Sequence, residues 1–300
     1  MTVARIHGLS SKSIDFVLAF PQADLDVDIF MEIPAGMQVE DDNTPGTQDG
    51  GKGKYVIKLK KSLYGLKQAG HNWYHMLREG LEKRGFKSSV IDECVFYSEG
   101  AVILTYVDDC IIFADTSEHV NDVIQSLWNG PENFDLTDEG DVDKYLGVEV
   151  RDLGNDTFEL AQPHLVSRII DFVELGDAHP KLTPVGKPLL CKDLDGTPRK
   201  HTWNYRAAVG MLNYLLQTSR PEIGMAVHQC ARYNNNPMLS HEKAVKRIVK
   251  YLKKNPEKGI IYKVDKSRGL ECYVDADFAG NWEQADSEMP RMSYLELDTC

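Results

Sequence analysis

No apolar run in the sequence approaches the eighteen or so residues of a membrane span, and the first residues lack a signal-peptide core. The chain therefore reads as intracellular, with a cytoplasmic setting and no membrane partner expected. Cysteine is sparse: Cys94, Cys110, Cys191, Cys230, Cys272 and Cys300 include no C-x-x-C pair. That spacing argues against a zinc site and a disulfide framework, and leaves buried free thiols as the expectation. No internal repeat is evident. Net positive charge is also missing, the formal balance being −12, which argues against a chain that grips phosphate over its whole surface. The distribution is uneven, however. Basic residues cluster at 52–67 and again at Lys243, Lys246, Arg247, Lys250, Lys253, Lys254 and Lys258, whereas acidic residues gather around 22–42, 132–143 and 283–298. A solvated face is the ordinary reading of such clusters.

Three hundred residues are enough for two domains. A short apolar strand pattern ends near Asp15, a Gly- and Asp-rich loop covers 36–54, and YVIKLKKSL at 55–63 alternates like a half-buried strand. Helical spacing takes over at 71–84, with Trp73, Leu77 and Leu81 on one stripe and Gly85 as the stop. At 101–115, AVILTYV and CIIFAD flank Asp108-Asp109, which predicts a hairpin with the acid pair at its tip. A helix is expected at 118–129 with Ser117 as its cap. A β-pair over 143–150 and 157–162 turns near Gly154-Asn155, and a helix at 163–175 follows it. The proline-rich stretch 179–202 reads as a linker. Helical stretches are expected near 203–218, 221–234 and 240–254, before strand character returns at 259–264 and 270–278.

Two carboxylates side by side between apolar strands raise each other's pKa, and a bound divalent cation is the usual relief. Asp15, at the end of another strand, adds a third that a sheet could bring to them. Hard oxygen ligands suit Mg²⁺, which keeps several waters and bridges to phosphates. Two such ions about 3.5–4 Å apart would stabilise both oxygens of an in-line phosphoryl displacement. The alternative is that Asp108 and Asp109 are simply turn residues, which Asp favours.

In order along the chain stand IDFVLAFPQADL with FMEIPAGM, KLKKSLYGLKQAGHNWY, YVDD at 106–109, KYLGVEV, YRAAVGMLNYLLQTSRPEIGMAV, HEKAVKRIVKYLK and YVDADFAG. Over roughly residues 10–282 this series resembles the reverse transcriptases of copia-type long-terminal-repeat retrotransposons. The resemblance implies an α+β architecture: a right-hand polymerase palm with an antiparallel sheet and backing helices, incomplete fingers, a helical thumb or connection, and a remnant ribonuclease H-like hairpin. It implies RNA-directed DNA polymerisation, with an RNA template, a DNA primer, deoxynucleoside triphosphates and two Mg²⁺ ions. Asp15, Asp108 and Asp109 match the catalytic metal ligands. Phe20 matches the aromatic residue that excludes a 2′-hydroxyl. Gly65, Lys67 and Gln68 match nucleotide-binding positions, with Gly70 standing where the family usually has proline. Tyr106 matches a primer-end residue and Leu146-Gly147 the turn that grips the primer, while Lys246, Arg247 and Lys250 would contact the duplex backbone.

The resemblance implies a palm with partial fingers at 10–178, the linker, a thumb or connection at 203–258, the start of a ribonuclease H-like domain at 259–282, and a divergent tail at 283–300. Asp275 matches the first nuclease carboxylate, but the later nuclease ligands are absent, so ribonuclease H activity is not expected. Asp15 comes only fourteen residues after Met1, too few for the family's preceding fingers stretch. A chain cut short at both ends has a second reading, a catalytically inactive relic that at most binds nucleic acid.

Overall fold

The computed structural model describes residues 1–37, 55–130, 132–186, 190–193 and 196–267. In chain order its elements begin α1 (Thr2–His7), β1 (Ser10–Phe16), α2 (Ala19–Gln22), β2 (Phe30–Glu32), β3 (Val56–Lys58), α3 (Ala69–Glu82), β4 (Lys87–Ser88) and β5 (Val95–Ser98). They continue β6 (Ala101–Tyr106), β7 (Asp109–Ala114), α4 (Ser117–Asn129), β8 (Leu136–Gly140), β9 (Lys144–Tyr145), β10 (Val148–Gly154) and β11 (Thr157–Ala161). The last are α5 (Pro163–Phe172), α6 (Tyr205–Thr218), α7 (Gly224–Ala231), α8 (Leu239–Leu252) and β12 (Ile260–Lys263). The mixture of antiparallel sheets and helices is the α+β class expected from the sequence. Two compact units emerge, Met1–Gln162 with Gly259–Ser267, and Pro163–Lys258.

In the first unit, six strands form an antiparallel sheet in the order β4-β5-β6-β7-β1-β8. The central strand β7 is apolar from Cys110 to Ala114 without alternation because both of its faces are covered. On one face, Trp73, Leu77 and Leu81 of α3 and Val120, Ile124 and Leu127 of α4 pack on Ile14, Phe16, Ile103, Cys110 and Ile112. On the other, Ile111 and Phe113 meet Ala4 of α1, Val142 and Val150. Burying each such side chain contributes about 1.5–3 kcal/mol, so this two-sided burial is the main force fixing the hairpin. A second antiparallel sheet runs β12-β11-β10-β9, and β2 pairs with β3. β12, which lies in the stretch 259–282 expected to begin a ribonuclease H-like domain, is hydrogen-bonded to β11 along Thr157–Leu160.

The α3 stripe ends as expected at Gly85, whose φ of 86° is a left-handed stop that glycine adopts without strain. The α4 cap differs from expectation. Thr116, not Ser117, receives the His119 N–H on its hydroxyl at 3.0 Å, because Thr116 keeps the extended backbone a cap requires while Ser117 is already helical. The thiols also differ in part. Cys110 and Cys230 are buried, but Cys94 and Cys191 are exposed, lying in irregular segments beside the elements. Burial pushes the Cys230 thiol up to about 12, which makes it inert.

The second unit is helical. Val166 and Ile169 of α5, Ala208, Leu212 and Leu215 of α6, Val227 of α7 and Val245, Ile248 and Leu252 of α8 form one core. The stretch expected as a helix from 221 starts with a 3-10 turn at Pro221–Ile223, since proline fits a first turn but not an interior. Part of the 179–202 stretch is fastened to α8: Leu239 N–H donates to Thr197 O at 2.9 Å and Arg199 pairs with buried Glu242 at 3.4 Å.

Candidate active site

β1 and β7 pair from Ser10↔Ala114 to Asp15↔Asp109 without a register shift. Residues directly opposite in an antiparallel pair project from the same face. Ile14 and Cys110 therefore enter the core beneath α3 and α4, and Asp15 and Asp109 emerge together at the end of the other face. Asp108 occupies the intervening turn, and its carbonyl accepts the Phe16 N–H at 2.9 Å, stitching the end of β1 to the hairpin.

The turn itself is unusual. Tyr106 pairs with Asp109, leaving Val107-Asp108 as a two-residue loop in which Val107 has φ 58°. Positive φ is uncommon for a β-branched residue and costs of order 1–3 kcal/mol. The buried indole of Trp73 donates to Val107 O at 2.7 Å and holds the turn. Phe16 and Phe134 brace that ring edge-on, with centroids 5.1 and 6.0 Å away.

Electrostatics record the crowding. Burial first, then the charges of Asp108, Asp109 and Glu139, raise the Asp15 pKa. Asp109 is raised by burial, Asp108 and Glu139, with Lys144 opposing. Tyr64 is raised by burial, then by Asp108 and Asp15, so its phenol stands near both carboxylates. Its ring also lies 4.5 Å from that of Phe20, which brings the expected sugar-side residue to the same place. Tyr145 is pushed up chiefly by burial, and also by Asp109.

Tyr64, Glu139, Lys144 and Tyr145 are members of this constellation that the sequence reading did not single out. The one available signal for Tyr64 is its position beside Gly65 within SLYGLKQ. Gly65 has φ 100° and open space where a Cβ would stand. Lys67 is exposed and Gln68 precedes α3. Leu146 and Gly147, with φ 49° and 77°, form the tight turn between Tyr145 and Val148, matching the φ signs of a type I′ hairpin.

Lys246, Arg247 and Lys250 belong to α8 in the other unit. There Lys246 Nζ lies 3.5 Å from Glu242 and Arg247 donates to Thr183 Oγ1 at 2.8 Å. Asp275 lies outside the described residues.

The donor set around the hairpin is all oxygen, which suits Mg²⁺ rather than a softer cation. Among the described residues no three His, Cys, Asp or Glu side chains close into a metal cage. An ion that keeps its waters and takes one or two protein carboxylates needs no such cage, and the crowded acids are the kind a divalent cation relieves. No helix among the described residues is long and apolar enough to cross a membrane.

Residues 2–187 match the family model described as reverse transcriptase (RNA-dependent DNA polymerase). The chain is 31% identical over 288 residues to the retrovirus-related Pol polyprotein from transposon RE1 of Arabidopsis thaliana, covering 95% of this chain and 19% of that protein. It is 29% identical over 299 residues to the corresponding polyprotein from transposon TNT 1-94 of Nicotiana tabacum, covering 96% and 22%. A putative transposon Ty5-1 protein of Saccharomyces cerevisiae is 26% identical over 269 residues, covering 88% and 82%. The chain thus spans about a fifth of the two plant polyproteins. On this family match and these relatives, the chain belongs to the reverse transcriptase (RNA-dependent DNA polymerase) family, on its copia-type retrotransposon branch.

Proposed function

We propose that the chain carries the nucleotidyl-transfer centre of an RNA-directed DNA polymerase. The observation that supports this most directly is the alignment of Asp15 with Asp109 at one sheet end beside the Asp108 turn. Asp15, Asp108 and Asp109 would hold two Mg²⁺ ions, which when bound supply charge neutralisation at the reacting phosphate. The primer 3′-hydroxyl attacks the α-phosphate of a deoxynucleoside triphosphate and pyrophosphate leaves.

The chain's own residues position and select. The two-sided core beneath β7 and the Trp73 clamp fix the acid turn in advance, so little reorganisation is needed at the moment of reaction. Phe20, with Tyr64 against it, walls the sugar side of the site and excludes a 2′-hydroxyl. Gly65 lets backbone approach the nucleotide, with Lys67 and Gln68 at its phosphate or base. Tyr106 sits at the primer end and the Leu146-Gly147 turn holds the primer strand. Lys250, with Lys246 and Arg247 beside it on α8, meets duplex phosphate. The residues near 259–282, Asp275 included, correspond to the start of a ribonuclease H-like segment.

Primer extension by the purified chain on an RNA template with Mg²⁺ tests this reading. Incorporation is expected from the wild type and lost in Asp108→Asn. Equal incorporation by both proteins, or none by the wild type, overturns it.

A further inference from the structure

α3 carries two imidazoles that neither core packing nor the acid-bearing hairpin uses. His71 and His75 stand four residues apart on the exposed side of the helix, the spacing that stacks side chains on adjacent turns. Their rings touch, with centroids 4.2 Å apart at an interplanar angle of 67°. The described contacts of both rings are aromatic only, His71 with His75 and His75 with Tyr74. If both were protonated, this pairing would place like charges at i and i+4, a destabilising arrangement. Sharing a cation through neutral nitrogens makes the same placement favourable.

We propose that His71 and His75 form a two-imidazole site for a borderline divalent transition cation such as Cu²⁺, Ni²⁺ or Zn²⁺. Two histidines at i and i+4 on one helix face can converge on one metal at about 2.0–2.1 Å each. Among the described residues no third His, Cys, Asp or Glu completes a closed cluster here, so water fills the remaining positions and the site stays open. Its chemistry is opposite to that of the carboxylates at the hairpin. Imidazole prefers Cu²⁺, Ni²⁺ and Zn²⁺, whereas Mg²⁺ seeks oxygen and holds its water. The affinity order is therefore Cu²⁺ over Ni²⁺ over Co²⁺, with Mg²⁺ not competing.

The site lies across the first turns of the helix that holds Trp73, between the two histidines in sequence. A cation bridging 71 and 75 binds the folded helix in preference to the unfolded chain, and so raises stability with the logarithm of its free concentration once that exceeds Kd.

The test uses the full chain with NiCl₂ and CuCl₂ as probes. Both imidazoles are exposed, so His71→Ala and His75→Ala preserve packing, and alanine favours the helix. Calorimetric titration and thermal melts are run on the wild type, each single variant and the double variant. The wild type is expected to take up one Ni²⁺ with a rise in Tm that chelator reverses and excess MgCl₂ leaves in place. Each single variant is expected to bind at least about tenfold more weakly, and the double variant to lose the Tm rise. With one equivalent of Cu²⁺, electron paramagnetic resonance should show coupling to two imidazole nitrogens in the wild type. Unchanged Ni²⁺ affinity in the double variant, or in either single variant, overturns the assignment, as does a Cu²⁺ spectrum unaltered by both substitutions. The outcome is independent of polymerase activity.

Discussion

The indole nitrogen of Trp73 donates to the carbonyl oxygen of Val107 across 2.7 Å, joining the centre of α3 to the strained turn that carries Asp108. A tryptophan with its body in the core needs a partner for its one polar atom. Here the partner is a backbone group that a β-branched residue holds at positive φ. The contact therefore serves the core and the site together.

Replacing Trp73 with Phe removes the donor while keeping an aromatic body. The loss of one hydrogen bond and some packing is expected to destabilise the fold by about 1–3 kcal/mol in urea titration. The rate of nucleotide addition should also fall with little change in primer affinity, because the turn loses its clamp. Leu77→Val, on the same buried stripe but without a described bond to the turn, controls for stability alone. Equal rate losses in the two variants would make Trp73 a packing residue only.

Glycine-to-alanine substitutions within α3 should have opposite signs. At Gly70 a Cβ meets nothing within 4 Å, so the helix preference of alanine acts unopposed, worth up to about 1 kcal/mol. At Gly80 the same atom would lie 2.5 Å from Phe134 Cζ. That ring is buried, edge-on to Phe16 and Trp73. Overpacking of about 1–3 kcal/mol outweighs the propensity gain. Gly70→Ala should raise Tm and Gly80→Ala lower it; matching signs would contradict the packing around Phe134.

Asp15→Asn should stabilise the metal-free protein while abolishing nucleotide addition. A carboxyl raised by burial and by Asp108 and Asp109 binds protons more readily folded than unfolded. Stability then falls as pH rises, from the ordinary aspartate range up through the raised folded value. The advantage of Asp15→Asn should be absent at strongly acid pH and reach a plateau above that window, as followed by urea denaturation across pH. Adding Mg²⁺ should narrow the gap by stabilising the wild type. A constant advantage at every pH would remove charge crowding as its cause.

The hairpin was readable from sequence because its cause is local, two apolar runs with a short acidic break between them; its turn lies one residue earlier than expected, at Val107-Asp108, with Asp109 already in β7. The α3 stripe was readable for the same reason, three large apolar residues at helical spacing ending in a glycine. The features that escaped were relations made by convergence. Tyr64 lies in a segment read for its glycine and cations, yet it meets Phe20, which is far away in sequence. Tyr145 and Lys144 reach Asp109 through the packing of a second hairpin, and nothing in KYLGVEV names that neighbour. The Thr116 cap was missed by one residue, because adjacent Thr and Ser carry the same capping chemistry and only the backbone separates them.

Side chains alternate between the two faces of a strand, so the position of Asp109 depends on an exact count of residues from the turn. Deleting one residue between Asp109 and Ala114 would rotate the rest of the strand by half a turn, exchanging the layer beneath the helices for the layer beneath Ala4 and Val150. Restoring the apolar layers by sliding the strand would instead carry the acid away from Asp15. Within this hairpin, substitutions can be absorbed one atom at a time, but changes of length have no intermediate solution.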